Sequence, residues 1–295
     1  MTNHPSSGPI SLLGISGSLR SASHNTALLR AAAQSLGPGV TLTIAPLSDL
    51  PIYNWDDEQH AGFSTSVVAL REQVAAADGL LFATPEYNWS VSGALKNAID
   101  WLSRSPSPPI DHKPAAIMGV GGGSGTWRSQ EHLRDILGHN RLRIVAEPEV
   151  MLIRSKTRFA DDELVDEGAR LEVHALVTAL TGVVERARRV PPPNVDGSVL
   201  VLGNHRATMR RVTQQLNELG YRTLPALDLP DALAMIEGRT LAAIVVGHRI
   251  DEASREAVRT RLETAQPATP LILPASPDVA AAEVDAALRP AGGPV

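Results

Sequence analysis

Short apolar runs alternate with helical patterns over the first 190 residues. Residues 9–15, "PISLLGI", read as a buried strand, and from Asn25 the pattern turns helical, with Leu28, Ala31, Ala32 and Ser35 on one face. Gly37-Pro38-Gly39 ends that helix, and 40–45, "VTLTIA", begins the next strand. Val67, Leu70 and Val74 mark a second helix, 79–84 a third strand, and Leu95, Ala98, Ile99 and Leu102 a third helix with spacing i, i+3, i+4, i+7. Residues 114–120 form a fourth strand, Arg128 to Leu137 a fourth helix, and a fifth strand falls within 143–153. Val173, Leu176, Val177, Leu180 and Val184 give a long last helix. Such alternation predicts βαβ units, hence an α/β fold with a five-stranded, flavodoxin-like parallel sheet and helices on both faces. Ligands of such sheets bind beyond the C-terminal ends of the strands.

The run "RRVPPPNVDGS", 188–198, breaks the pattern, because three successive prolines cannot continue a helix. The expected division is a domain over 1–190, a Pro-rich linker over 191–197 and a smaller α/β domain over 198–295. In the last segment strands are expected at 198–203, 221–227, 241–247 and 269–275, and helices at 206–219, 230–238, 251–264 and 278–289.

Composition narrows the chemistry. Hydrophobic residues make up 43% of the 295 and aromatics 3%, so the core is largely aliphatic. Cysteine is absent, which removes thiol nucleophiles, thiolate metal sites and redox dithiols, and any redox chemistry then belongs to a bound cofactor. The nine histidines show no pair at helical ligand spacing, so no metal site is expected. A net charge of −5 argues against nucleic-acid binding. No apolar run spans a bilayer and the polar N-terminus lacks a signal-type segment, so no membrane partner and a cytoplasmic location are expected.

Three strand-end segments carry candidate chemistry. Gly14 to Thr26, "GISGSLRSASHNT", joins the first strand to the first helix. Its glycines, hydroxyls and Arg20 suit an anion at a helix N-terminus, and neither the Rossmann nor the Walker glycine spacing is present. A terminal phosphate fits such a turn, and so does a serine-rich turn in which Asn25 or Thr26 only caps the helix. The second segment is "TPEYNWSVSGALKNAIDW", 84–101. Pro85 fixes the backbone, so the amides of Glu86, Tyr87 and Asn88 can meet the polar edge of a flat ring. Glu86 can instead be a loop carboxylate bonding backbone amides, Ser90 or Ser92 can cap the next helix, and Lys96, Asn97 and Asp100 are expected on its solvent side. The third is "GVGGGSGTWRSQEHLR", 119–134, whose glycines allow close backbone approach. A flexible connection would look the same.

Together "SGSLRSASHN", "TPEYNWSVSGALKNAIDWLSR" and "GGSGTWRSQEHLRDIL" resemble the NADPH-dependent FMN reductase family, which includes bacterial NAD(P)H quinone and chromate reductases. The likeness runs from about residue 10 to 187 in unbroken order. It implies one non-covalent FMN per subunit, NAD(P)H as co-substrate, a small-molecule electron acceptor and a homodimer or homotetramer. Ser16, Ser18, Arg20, Asn25 and Thr26 would serve the phosphate, Pro85, Glu86, Tyr87 and Asn88 the flavin ring, and Gly121, Gly122, Gly123 and Ser124 its other edge. Chemistry would occur at flavin N5 with no catalytic side chain, in a ping-pong reduction of quinones, flavins, azo dyes or chromate-like acceptors. The stretch 49–56, "DLPIYNWD", matches a further family loop near ring and subunit contact, or is a proline-bent surface turn.

The last domain resembles a response-regulator receiver in element order. Where receivers carry acids and a phosphate-accepting aspartate, this chain reads "LGNHRA" and "VVGHRI", with Gly247 or His248 at the acceptor position and no lysine in the segment. A degenerate interaction module with a protein partner, or a plain accessory domain, is expected. The rival to an enzyme is a flavin-binding redox sensor that signals through this domain with little turnover.

Overall fold

The computed structural model describes residues 8–104, 108–123, 125–153, 157–189, 197–247 and 249–288. The chain divides into two compact units, one of Met1–Asn140 with Ile144–Arg189, the other of Val190–Val295 with Arg141–Arg143. Most of the expected linker, 191–196, lies outside the described residues.

In the first unit the strands are β1 (Ile10–Ser16), β2 (Val40–Ala45), β3 (Gly79–Ala83), β4 (Pro114–Gly121), β5 (Arg143–Ile144) and β6 (Val150–Ile153). Their order is β2-β1-β3-β4-β5, with β6 also against β4, and the β1–β2, β1–β3, β3–β4 and β4–β6 pairs are parallel. The helices are α1 (His24–Gln34), α2 (Trp55–Ala61), α3 (Thr65–Ala76), α4 (Gly93–Leu102), α5 (Trp127–His139) and α6 (Glu167–Arg189). All five residues of β3 are buried, as a strand covered on both faces requires. One face packs Leu12, Leu81 and Met118 against Leu28 of α1 and Leu176 and Leu180 of α6. Residues of the other parity, among them Leu13, Ile15, Phe82 and Ile117, are equally buried.

The single expected fifth strand is two short pieces. The Val145 N–H bonds Ala115 near the start of β4, and β6 pairs with its end. Pro148 lies between them and has no N–H to donate to a ladder. Two elements were not foreseen. Helix α2 has no buried residue and therefore no apolar period to read. The hairpin of β7 (Phe159–Ala160) and β8 (Glu163–Leu164) turns on Asp161 and Asp162, both at positive φ (47° and 61°), the primed-turn geometry that Asp tolerates.

The second unit holds β9 (Ser198–Leu202), β10 (Thr223–Ala226), β11 (Leu241–Val246) and β12 (Leu271–Ile272), with α7 (Arg206–Glu218), α8 (Leu229–Gly238), α9 (Glu252–Ala265) and α10 (Pro277–Leu288). Its sheet is parallel, in the order β10-β9-β11-β12. Val199 and Val201 pack with Val212 of α7 and Val284 of α10 on one side. Leu200 and Leu202 pack with Ile236 of α8 and Leu262 of α9 on the other.

Candidate functional site

Parallel pairing ends β1, β3 and β4 at one rim, with Ser16 level with Ala83 and Ala83 level with Met118. The turns that leave those ends are bonded to one another. The Gly17 N–H donates to the Ala83 carbonyl (2.8 Å) and the Thr84 N–H to the Met118 carbonyl (2.9 Å). The Ser92 hydroxyl donates to the Gly17 carbonyl (2.6 Å). Gly17 is required by close approach, since a Cβ there would lie 2.9 Å from Pro85 Cδ and 3.0 Å from Ser92 Oγ. Residues 16–26, 84–92 and 119–126 therefore form one cluster.

Within the first turn the structure separates donors from props. Ser23, rather than Asn25 or Thr26, caps α1 by accepting from the Thr26 N–H (3.2 Å). Thr26 Oγ1 donates to Ser16 Oγ (2.9 Å), and the Ser16 hydroxyl is directed at the Ser18 carbonyl (3.3 Å), so both hydroxyls brace the turn. Asn25, expected at a phosphate, has another role. Its buried amide donates to the Val120 carbonyl (3.1 Å) and accepts from the Val120 N–H (3.0 Å), clamping the first turn to the end of β4. Half-buried Ser18, exposed Arg20 and the α1 N-terminus are the groups of this turn with donors to offer an anion. Arg20 makes no ion pair among the described residues, and the first turn of α1 carries no acid.

The second turn is a tight reversal. Tyr87 and Ser90 exchange N–H···O bonds of 3.1 and 3.0 Å, and Asn88 and Trp89 take φ of 48° and 64°, as a type I′ turn requires. A bulky residue rarely accepts positive φ. Here the Arg128 guanidinium lies over the Trp89 ring (3.6 Å) and over Trp127 (4.4 Å), which holds the reversal against α5. Three of the residues expected at the ring make contacts of their own. The Tyr87 N–H is committed to Ser90, and Pro85 is buried against Gly17. The Glu86 carboxylate accepts from the Arg128 and Ser129 N–H groups (3.0 and 3.1 Å), capping α5, whose own N-cap Thr126 makes no side-chain capping bond. The Asn88 N–H makes no hydrogen bond within the described residues.

In the third turn the Gly125 N–H donates to the Gly122 carbonyl (2.9 Å). Gly122 and Gly123 are exposed, and a Cβ on either would meet open space. A Cβ on Gly121 would instead collide with the Gly125 carbonyl. Ser124 lies outside the described residues. Behind this turn, buried Gln130 donates to Thr126 Oγ1 and to the Val150 carbonyl, both at 2.9 Å. The sequence reading missed this bracing pair, because a mid-helix glutamine carries no pattern.

The 49–56 stretch is pinned to α4. Asn97 Nδ2 and Trp101 Nε1 both donate to the Pro51 carbonyl (2.9 and 2.8 Å), and Asn97 Oδ1 accepts from the Tyr53 N–H (2.8 Å). Asn97 is thus a half-buried anchor rather than a solvent-facing residue, whereas Lys96 and Asp100 do form a surface pair (2.7 Å).

The sequence profile of the NADPH-dependent FMN reductases matches residues 10–157. An NAD(P)H-dependent FMN reductase of Pseudomonas aeruginosa is 46% identical over 184 residues, covering 62% of this chain and 99% of that one. A quinone reductase of Escherichia coli is 38% identical over 179 residues, covering 58% and 94%. Among solved structures, the NAD(P)H:(acceptor) oxidoreductase flavoenzyme of Paracoccus denitrificans superposes with a TM-score of 0.55 at 29% identity, over 60% of this chain and 98% of the other. A family profile spanning half the chain, whose three motifs fold into one rim, has a single consequence: the protein belongs to the NADPH-dependent FMN reductase family and is an FMN-dependent oxidoreductase that uses NAD(P)H.

Proposed function

We propose that the rim of β1, β3 and β4 holds one FMN and that the enzyme reduces small-molecule acceptors (quinones, flavins, azo compounds or chromate-like ions) in a ping-pong cycle. The observation that carries this reading is the mutual bonding of the three turns, which makes one site of three separate motifs. The donor set suits the group. Unpaired Arg20, Ser18 and the acid-free start of α1 favour a phosphate. The Asn88 amide and the open side of Gly122 and Gly123 leave room and a donor for a flat heterocycle. Bound FMN supplies the centre that takes a hydride from the nicotinamide and yields two electrons to the acceptor. The chain binds and orients it. Asn25, Ser16, Thr26, Glu86 and Gln130 fix the turns without touching it.

Exposed Ile52, Trp55, Tyr87, Trp89 and Trp127 surround the rim, which supports a homodimer or homotetramer joined there. No described helix is long and apolar enough to cross a membrane, in keeping with a cytoplasmic enzyme. Residues 198–295 are read as a receiver-like unit with strand order 2-1-3-4 and Gly247 or His248 at the acceptor position.

Steady-state kinetics of the full chain test the proposal. With NAD(P)H and a quinone both varied, double-reciprocal plots should be parallel and each reductant should be oxidised repeatedly. Intersecting lines would reject the ping-pong cycle. Bound FMN with negligible turnover would favour the sensor instead.

A further inference from the structure

The second unit contains a cleft that the reductase site does not use. It opens at the C-terminal ends of β9 and β11, where strand order reverses: β9 leads outward to β10, and the chain then crosses to β11 on the other side. In open parallel sheets this is the position at which ligands bind. The cleft is open to solvent at its mouth. Its walls are apolar, with Val201 and Val245 from the strands and Met209 and Val212 from α7. Glycine keeps the mouth clear: a Cβ on Gly203 would lie 2.7 Å from Met209 Cγ.

The mouth carries Arg249 and His205 beside the neutral Asn204 and Thr208. Arg249 is exposed and has no ion pair among the described residues. His205 caps α7, with Nδ1 3.4 Å from the Thr208 nitrogen and 3.2 Å from Thr208 Oγ1, which leaves Nε2 to serve a ligand. The α7 N-terminus adds partial positive charge, with no acid in its first turn. No aspartate or glutamate is among the described residues lining the cleft. Nearby carboxylates are engaged: Asp251 accepts from the Ser254 N–H and hydroxyl (2.9 Å each), Asp228 from the Asp231 N–H (2.9 Å), and Asp278 pairs with Arg211. Where a phosphate-accepting sheet would present acids, this one presents a guanidinium and an imidazole.

We propose that this cleft binds a compact organic monoanion, a carboxylate carried on a single aromatic ring or a short branched chain. The carboxylate meets Arg249, His205 Nε2 and the α7 N-terminus, and the apolar body rests on Val201, Met209, Val212 and Val245. Among the described residues the Arg249 guanidinium, the His205 imidazole and the helix end suit one negative charge, and the apolar walls select against a bare inorganic ion.

Calorimetric titration of the FMN-loaded full chain tests this, with benzoate and isovalerate as probes and benzamide and inorganic phosphate as comparators. Saturable binding of at least one carboxylate in the millimolar range or tighter is expected, with benzamide and phosphate weaker by about tenfold or more. Arg249→Ala, at an exposed position, should weaken carboxylate binding by about tenfold. Backbone amide shifts should change around Gly203, Met209 and Gly247. The proposal is overturned if neither carboxylate binds, if benzamide or phosphate binds as well, if Arg249→Ala has no effect, or if the shifts map to the first unit.

Discussion

Gly119→Ala will destabilise the first unit by about 3 kcal/mol or more and will abolish retention of FMN through purification. A Cβ at this position would sit 2.5 Å from Thr126 Oγ1 and against the Thr84 carbonyl. Neither neighbour is free to yield. Thr84 is tied to β4 through its N–H bond to Met118, and Thr126 is fully buried with its hydroxyl held by Gln130. The clash must be relieved by separating the second turn from the third, the contact on which the site depends. Gly122→Ala is the control, because its Cβ would enter open space, and its effect should stay within about 0.5 kcal/mol. Urea unfolding midpoints and flavin content report both outcomes. A Gly119→Ala protein as stable and as yellow as the parent would show that the turns adjust without loss.

Asn25→Ala should cost about 2–5 kcal/mol of stability, because two buried backbone groups of Val120 lose their only described side-chain partner. Asn25→Asp separates this role from ligand binding. It keeps an acceptor for the Val120 N–H, loses the donor to the Val120 carbonyl, and sets a negative charge at the base of the anion turn. FMN affinity should therefore fall further in Asn25→Asp than in Asn25→Ala. Unchanged unfolding of Asn25→Ala, with only FMN affinity reduced, would make Asn25 a direct ligand instead of a clamp.

These substitutions mark the boundary of what the sequence discloses. Buried parallel strands such as β3 and β4 were legible because nearly every residue in them is apolar and turn residues follow. The buried face of α4 was legible because Leu95, Ala98, Ile99 and Leu102 repeat at helical spacing. Helix α2 was not, since it buries nothing and so shows no apolar repeat. The segments of the site could be placed at the ends of β1, β3 and β4 by counting strands, and the resemblance supplied the cofactor. The division of labour inside each motif could not be read. Asn25 and Glu86 are polar residues in binding motifs, yet both turn inward to satisfy backbone groups of other elements. Residue type gives donor and acceptor capacity. Which neighbour claims it is decided by tertiary approach, here by β4 and α5.

The phosphate grip can be measured directly by titrating FMN and riboflavin into the flavin-free full chain. FMN should bind at least about tenfold more tightly than riboflavin. Arg20→Ala should weaken FMN by roughly 1.5–3 kcal/mol, about ten- to a hundredfold or slightly more, and leave riboflavin unchanged. Equal affinities for the two flavins, or an Arg20→Ala protein that binds FMN as the parent does, would contradict the assignment of the β1–α1 turn as the phosphate site.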